Sequence, residues 1–535
     1  MSVSFTRLWM LRLIRYGVGI IVALVCLCAL LWAYVNWSGP RHWAAVKARL
    51  ESEGEPLDFT KLLPPRVDPA TNFCAIDALD GIALEGDEHS PQGKKRKALE
   101  ELGWNKFAAQ APRLRRDWAL GCSTDLAAWA KFARDTAFIQ IPPDSGNAAR
   151  DLLQAIDRSQ PLVKGLADAA VTHPNAGFTP LLRDRPLTSP LVNLALRPCY
   201  TSAVRAQEVL GLRALAASQC GDPAAATSSV LAMLRLTEAF SQDPFFLAML
   251  GALSCHDSAE EAIWSILEKR NASENELREL QSVLGKLTFQ RVQLAAMRGE
   301  FAVGLDAITY AQEHTADLSA LMHNVYAVSE SPAAKDLVGD LVPSAKRLAL
   351  LCKLVPSGLF DENKAVLATL EFECLIKPLK AGGYGSLIHH ELEMENELRA
   401  HRGAMHPDYF MAFSCLPGML RMTDRIYSRD AIRRQAIIAC ALERYYLQHK
   451  SYPAALAELV PQFIAAVPSD PMDDKPMRYR QTGDGRYMIW SVGFDQKDDN
   501  GKVNPFRYRD GKLYARDLYV PQYKGDWTWQ YQPVK

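Results

Sequence analysis

An uncharged apolar stretch near the start of the chain, residues 17–37, most restricts what this protein can fold into. A stretch of this length can cross roughly 30 Å of hydrocarbon as an α-helix. Trp32, Tyr34 and Trp37 gather at its far end, where aromatic residues typically occupy the membrane interface. We predict a transmembrane signal anchor that is retained, with residues 1–16 in the cytoplasm.

A cleaved signal peptide is the competing interpretation of the same stretch. Cleavage needs small residues near the end of the apolar run, and Trp32 and Tyr34 occupy that zone. Lysine and arginine lie on both sides of the run, so the positive-inside rule alone does not fix its orientation. We favour the anchor.

Composition bounds the rest of the chain. With 535 residues, of which 48% are apolar and 23% charged, it is long enough for two or three folded domains. The 61 lysines and arginines equal the 61 aspartates and glutamates, so no basic excess indicates a nucleic-acid partner. The eleven cysteines are scattered and contain no CxxC pair.

A link follows the apolar stretch, over residues 38–97. Within it, residues 41–53 have the pattern of a short polar helix, and prolines around residues 62–72 indicate extended chain. The charged segment 87–97 contains proline and glycine, which favours a loop.

The long middle region, residues 98–427, is predicted to be helical. Gly221 marks the stop of one helix, and Asp222 is the cap of the next. Ser273 and Glu276 have the spacing of a capping box. A tetratricopeptide-like solenoid and an irregular bundle both fit this pattern, since the 34-residue repeat signature is absent.

The last region, residues 428–535, combines helix and strand signals. An amphipathic helix over 428–449 ends before Tyr452 and Pro453, and a second short helix is expected over 456–464. Aromatic and β-branched residues then predict strands at 477–480 and 486–492, joined by a turn rich in glycine and aspartate. A further hairpin is expected at 508–514. The fold class is therefore mainly α, with a small α+β domain at the C-terminus.

The segments ALERYYLQHKSYP, VPSDP, KPMRYR and YMIWSVGFDQKDDNG occur in an order that resembles the globular part of the major pseudopilin of type II secretion systems. The resemblance covers residues 428–502. It implies a helix packed on a small antiparallel sheet, an Asp-Pro corner at Asp470 and a loop that binds calcium. By the same resemblance, Asp495, Asp498 and Asp499 are the calcium ligands.

The chemistry of these three residues agrees with that implication. Ca²⁺ takes six to eight hard oxygen ligands, and three carboxylates within five residues, with carbonyls of a tight loop, can supply them. A solvated acidic turn is the alternative. A pseudopilin's membrane helix runs directly into its globular part, whereas here the apolar stretch lies far upstream and residues 17–21 contain no glutamate. The resemblance therefore implies the fold without the filament.

The whole chain also resembles uncharacterised membrane-anchored proteins of planctomycete and verrucomicrobial bacteria. This second resemblance implies no particular activity.

One helical segment has side chains suited to catalysis. His389, Glu393, Glu397 and His401 recur every four residues and so line one helix face, where they could bind a transition metal or exchange protons. A charged solvent-facing surface is the alternative, because a metal site would need ligands from a second element.

Together these patterns predict a non-enzymatic scaffold or interaction protein in the bacterial inner membrane. It would span the membrane once, with most of the chain in the periplasm, bind protein partners and carry a calcium-stabilised C-terminal domain. An extracytoplasmic metal-dependent hydrolase built on His389–His401 is one alternative. An accessory component of a type II secretion-like system is another.

Overall fold

The computed structural model describes residues 3–80, 89–102, 111–112, 117–178, 198–314, 355–403, 406–416, 419–420, 422–503 and 524–533. Helix accounts for 67% of the structure and strand for 4%, which confirms the predicted mainly α class.

The helices of the described chain are α1 (Val3–Ser52), α2 (Pro91–Glu100), α3 (Leu126–Thr136), α4 (Ala148–Ser159), α5 (Pro161–Thr172), α6 (Pro198–Cys220), α7 (Pro223–Gln242), α8 (Phe246–Lys269), α9 (Glu274–Lys286), α10 (Phe289–Glu313), α11 (Ser357–Glu371), α12 (Lys377–Ala381), α13 (Tyr384–Ala400), α14 (Phe410–Cys415) and α15 (Met422–His449). A π-helical turn, Phe372–Ile376, joins α11 to α12. Pro378 accounts for that turn, because its ring would clash with a carbonyl of a regular α-helix.

The helix boundaries predicted in the middle of the chain are confirmed. Gly221 follows α6 with a φ of 80°, a conformation that favours glycine. Asp222 caps α7, and its Oδ1 accepts the Ala225 N–H at 3.0 Å. At the start of α9, Ser273 N–H donates to Glu276 Oε2 at 2.7 Å and Glu276 N–H donates to Ser273 Oγ at 3.3 Å.

The helices form an irregular bundle. α6, α7 and α8 pack on one another, and α15 packs on α8, α9 and α10 although it follows them by more than a hundred residues. Units of a solenoid contact only their neighbours in sequence, so these long-range contacts favour the bundle. One hydrophobic core runs through the assembly and includes the buried rings of Trp118, Trp264 and Trp527.

The separate helix predicted at residues 41–53 is wrong. α1 runs without a break from the apolar stretch to Ser52 and contains Pro40. Arg41 Nη1 donates to the Trp37 carbonyl at 2.8 Å. The sequence analysis placed a boundary at residue 37, but α1 continues through Pro40, and this part of it packs on α11.

The loop predicted at residues 87–97 is also wrong in its second half, which belongs to α2. Ser90 Oγ accepts the Gly93 N–H at 3.0 Å, and Pro91 occupies the first turn. A capping serine followed by proline is a helix-start signal, and it outweighs the glycine and charge of the segment.

Within the described residues, the sheet near the C-terminus has three antiparallel strands in sequence order, β1 (Arg478–Gln481), β2 (Tyr487–Ser491) and β3 (Trp527–Trp529). The first two strands confirm the predicted hairpin, in which Thr482 N–H donates to the Arg486 carbonyl at 2.9 Å. The second short helix is only a 3-10 turn, Leu456–Leu459, and Pro461 follows it without a backbone N–H to extend the helix. The hairpin predicted at 508–514 lies outside the described residues.

α15 lies against both the sheet and the bundle. Gln435 Nε2 on α15 donates to the Trp527 carbonyl at 2.8 Å, and Trp264 Nε1 on α8 donates to the Gln530 carbonyl at 3.0 Å. The predicted domain boundary at residue 428 falls inside α15. Because sheet and bundle share a core, a separate C-terminal domain stays a prediction.

Candidate functional site

The exposure of α1 changes at Val35. From Val18 to Tyr34 every side chain is exposed, although this part of the helix is apolar. From Val35 onward one face is covered, and Val46 and Leu50 on that face are buried. Among the described helices, α1 alone is long and apolar enough to cross a membrane.

The covered half of α1 runs parallel to α11. Gly39 contacts Gly358 near the start of α11, and Arg49 reaches Glu373, just beyond the end of α11, at 3.3 Å. A Cβ on Gly39 would lie 2.0 Å from Gly358 O, and a Cβ on Gly358 would lie 2.1 Å from Val35 O. Only glycine allows two helix backbones to approach this closely.

Polar contacts fix the register of the two helices. Gly358 N–H donates to Asn36 Oδ1 at 2.9 Å. One turn further along, Ser38 Oγ donates to Glu362 Oε1 at 3.2 Å, and His42 Nδ1 lies 2.6 Å from Glu362 Oε2. α1 is therefore held to the body at defined positions.

α10 completes this assembly and runs in the opposite direction. Near its C-terminal end, Gln312 Nε2 donates to Ser357 Oγ at 2.9 Å, and Lys364 Nζ donates to Gln312 Oε1 at 2.7 Å. We call residues 35–52 together with α10 and α11 the stem. The C-terminal end of α10 and the N-terminal end of α11 thus lie at the Val35 end of the stem, next to the exposed apolar part of α1.

Glu55 secures the far end of the stem. Its side chain is buried and accepts hydrogen bonds from Arg298 Nε at 2.8 Å and Lys380 Nζ at 2.7 Å. Burial alone would raise the pKa of Glu55, but the two cations hold it below its usual value. The chain leaving α1 is thereby tied to α10 and α12.

The predicted calcium ligands lie in the loop after β2. Asp498 Oδ1 accepts the Trp490 indole N–H at 2.9 Å and the Asn500 N–H at 2.9 Å. Burial would raise the pKa of Asp498, but these hydrogen bonds and the Arg478 guanidinium, whose Nε lies 3.5 Å from Asp498 Oδ2, hold it below its usual value. Asp495 Oδ1 accepts the Lys497 N–H at 3.3 Å, and Asp499 is exposed.

Asp470, at the predicted Asp-Pro corner, fixes the start of this loop. Its buried carboxylate accepts Ser491 Oγ at 2.8 Å, Val492 N–H at 2.9 Å and Arg478 Nη1 at 2.8 Å. Burial raises the pKa of Asp470 despite these donors. The corner therefore ties the chain after α15 to the end of β2.

Asp526, which the sequence analysis did not single out, faces the same loop. It is buried, and its Oδ2 accepts the Gly501 N–H at 2.6 Å, while its Oδ1 makes no hydrogen bond with the described residues. Burial, reinforced by the charges of Asp498 and Asp499, raises the pKa of Asp526 to about 6. Gly493 allows the loop to approach this strand closely, because a Cβ at this position would lie 2.5 Å from the carbonyl oxygen of the glycine before Asp526.

The only sequence signal for Asp526 was an aspartate directly before the aromatic strand β3. That signal has no spacing relation to Asp495, Asp498 and Asp499, from which the chain separates it by more than twenty residues.

The histidine and glutamate ladder lies on α13 as predicted. His389 Nε2 lies 3.2 Å from Glu393 Oε1, and both side chains are more than half exposed. At the other end, the His401 ring stacks on Tyr409 with centroids 4.1 Å apart, and Tyr409 OH donates to Glu397 Oε1 at 2.9 Å. The ladder's contacts are thus pairs along the helix, together with contacts of His401 and Glu397 to the His406 and Tyr409 side chains.

Within the described ranges, no group of three or more His, Cys, Asp or Glu side chains is placed to hold a metal ion. Comparison with known proteins gives no match to a family model, to a curated protein or to a solved structure.

Proposed function

We propose that this protein is a single-pass membrane protein whose body lies outside the cytoplasm and serves as a scaffold for protein partners rather than as an enzyme. The division of α1 supports this most directly. Its first part offers an uncovered apolar surface through Tyr34, and its second part is packed into the body from Val35 onward. A helix divided in this way fixes the folded body at a set distance from the membrane.

The stem contacts favour a retained anchor over a cleaved signal peptide. Val35 and Asn36 meet the backbone of Gly358, and cleavage near Trp37 would remove both contacts. The residues at the end of the membrane span are therefore also structural residues of the body.

The stem also explains how a scaffold could keep a fixed orientation. Residues 35–52 continue α1 for about 27 Å at 1.5 Å per residue. This part of α1 packs on α11, and the ion pair of Glu55 with Arg298 fixes the chain just beyond its end. Partners bound to the body would then meet the membrane at a constant distance and angle.

Calcium fits the C-terminal loop in its chemistry. Asp526 contributes a buried carboxylate whose pKa is raised and whose Oδ1 lacks a hydrogen bond within the described residues, next to Asp498 and Asp499. These are hard oxygen ligands of the kind Ca²⁺ prefers. A bound cation would supply positive charge there, and Asp470 would hold the loop in place around it.

The anchor is tested by placing a charge in the exposed apolar surface of α1. Leu24→Arg should reduce the membrane-bound fraction of the full chain, because arginine at the centre of a membrane helix costs roughly 2.5–3.5 kcal/mol. Leu392→Arg is the matched control, since Leu392 is a similarly exposed leucine on α13. Carbonate-washed membranes and an alkaline phosphatase fusion after Lys535 would report insertion and side. Release of the unaltered chain by carbonate, or an inactive fusion, would refute the proposal.

A further inference from the structure

In the proposed anchor, the Val35 end of the stem is its membrane end. This end has a surface that a simple anchor does not require. α11 begins at Ser357, and Gly358 in its first turn contacts the backbone of Val35. Val35 follows Tyr34, the last residue of the fully exposed apolar run, and lies within the aromatic group that ends at Trp37. The first turn of α11 is thus level with the interfacial aromatic residues of α1.

The direction of the helices places the rest of α11 further from the membrane. Along α1, contacts pass from Val35 to Arg49, and along α11 they pass from Gly358 to Glu373 just past its end. Two parallel helices in continuous contact keep the same order of depth, because both rise about 1.5 Å per residue. Ser357, the first residue of α11, therefore lies about as deep as Val35.

α10 ends at the same level. Gln312 near its C-terminus binds Ser357. Two residues before Gln312, the Tyr310 ring is half-buried, and the His314 ring stacks on it with centroids 4.1 Å apart. Tyrosine is enriched at membrane interfaces because it has an apolar ring and a polar tip.

Several apolar side chains at this end are only partly covered, beside the exposed Ser357. Phe360 packs against the hydrophobic core, while Val355, Pro356 and Leu359 are half-buried. Single exposed apolar residues on a protein surface need no explanation. Here, however, they are held by Gly358 at the level of the membrane interface.

We propose that residues 355–359, with Tyr310, form a second lipid contact in the interfacial layer of the bilayer. This inference rests on the proposed anchor, because α1 defines the depth. It goes beyond the anchor by assigning part of the body itself to the membrane surface. The interfacial layer adds about 5–8 Å on each side of the hydrocarbon, which is enough to include one helical turn of α11.

Photocrosslinking of the full chain in phosphatidylcholine and phosphatidylglycerol vesicles tests the inference. A benzophenone amino acid is placed in turn at Leu359, at Trp32 within the span, and at Leu392, the matched exposed leucine on α13. We expect lipid adducts at positions 32 and 359, with at least tenfold less adduct at 392. Adducts at 32 alone, or equal adducts at 359 and 392, would overturn the second contact and leave the anchor standing. No adduct at 32 would remove the anchor as well.

A backbone variant tests whether stem packing sets this depth. Gly39→Ala places a Cβ 2.0 Å from Gly358 O, whereas Gly19→Ala on the same helix meets nothing within 4 Å. With the photoreactive group at 359, Gly39→Ala should lower the lipid adduct several-fold and Gly19→Ala should not. An unchanged adduct in Gly39→Ala would contradict the inference that the Gly39 and Gly358 contact positions α11 at the lipid.

Discussion

The stem and the acidic C-terminal loop are both held by close backbone contacts, but different forces determine them. In the stem, Gly39 and Gly358 allow two helices to touch, and the contact is one of shape. In the loop, the buried carboxylates of Asp470 and Asp526 accept backbone N–H groups, so the arrangement depends on charge.

This difference predicts different responses to solution conditions. The contact between Gly39 and Gly358 involves no titratable group and no mobile ion, so pH, salt and calcium should leave that contact unchanged. Buried carboxylates with raised pKa values respond to protons and cations.

The largest expected effect comes from filling the stem contact. Gly358→Ala should lower the free energy of unfolding by about 3 kcal/mol, the upper part of the range for overpacked sites, because its Cβ would meet backbone and not a movable side chain. Thermal unfolding of the full chain in detergent measures the loss. The loss should be the same at pH 5 and pH 8 and with or without calcium.

A matched control exists on another helix. Gly358 is the second residue of α11, and Gly385 is the second residue of α13, where an added Cβ meets nothing within 4 Å. Gly385→Ala should leave stability unchanged or raise it by up to about 1 kcal/mol. Equal destabilisation by both variants would mean that the close approach in the stem has no special role.

Asp526→Asn should reveal the charge dependence of the loop. The folded pKa of Asp526 is raised from 3.8 to about 6, so the folded state binds the proton more tightly than the unfolded state. The stability of the unaltered chain relative to Asp526→Asn should therefore fall as pH rises from about 4 to about 6, by at most about 3 kcal/mol, and then level off. Chelator-treated protein, unfolded thermally across this range, gives the comparison. If the difference in stability between the unaltered chain and Asp526→Asn does not vary with pH, Asp526 carries no buried charge that destabilises the folded state.

Calcium should offset that charge. In excess calcium, at about 100 times the dissociation constant, a site that binds only the folded state adds about 2.7 kcal/mol of stability. The gain should disappear in the double variant Asp498→Asn, Asp499→Asn. It should persist in Asp484→Asn, a control at an aspartate of the β1–β2 turn. Thermal unfolding of the full chain in calcium and in chelator measures it. An identical unfolding temperature in both would leave the loop a solvated acidic turn.

The sequence was informative where the structural signal was local. A capping serine, an aspartate before a helix and a glycine-containing hairpin turn each act within a few residues, and Gly221, Asp222 and Ser273 took the predicted roles. The positions of β1 and β2 followed for the same reason.

The stem could not be predicted, because its contacts join residues far apart in the chain. Gly39 meets Gly358 across more than three hundred residues, and in isolation Gly39 before Pro40 indicates a helix break. The position of Asp526 could not be predicted for the same reason, because the pairing of β3 with β2 brings it next to a loop that is distant in sequence. Side-chain pairing across such distances depends on tertiary packing, which periodicity does not encode.

The smallest expected effect concerns the polar contact beside the stem glycines. Glu362→Gln removes the charge facing His42 but keeps an oxygen that can accept the Ser38 hydroxyl. Because the His42 side chain is 48% exposed and that of Glu362 is 21% exposed, the loss should be below about 1 kcal/mol and shrink in high salt. Thermal unfolding at low and high salt checks this. A loss as large as that of Gly358→Ala would mean that charge, not shape, holds the stem, and the contrast with the loop would fail.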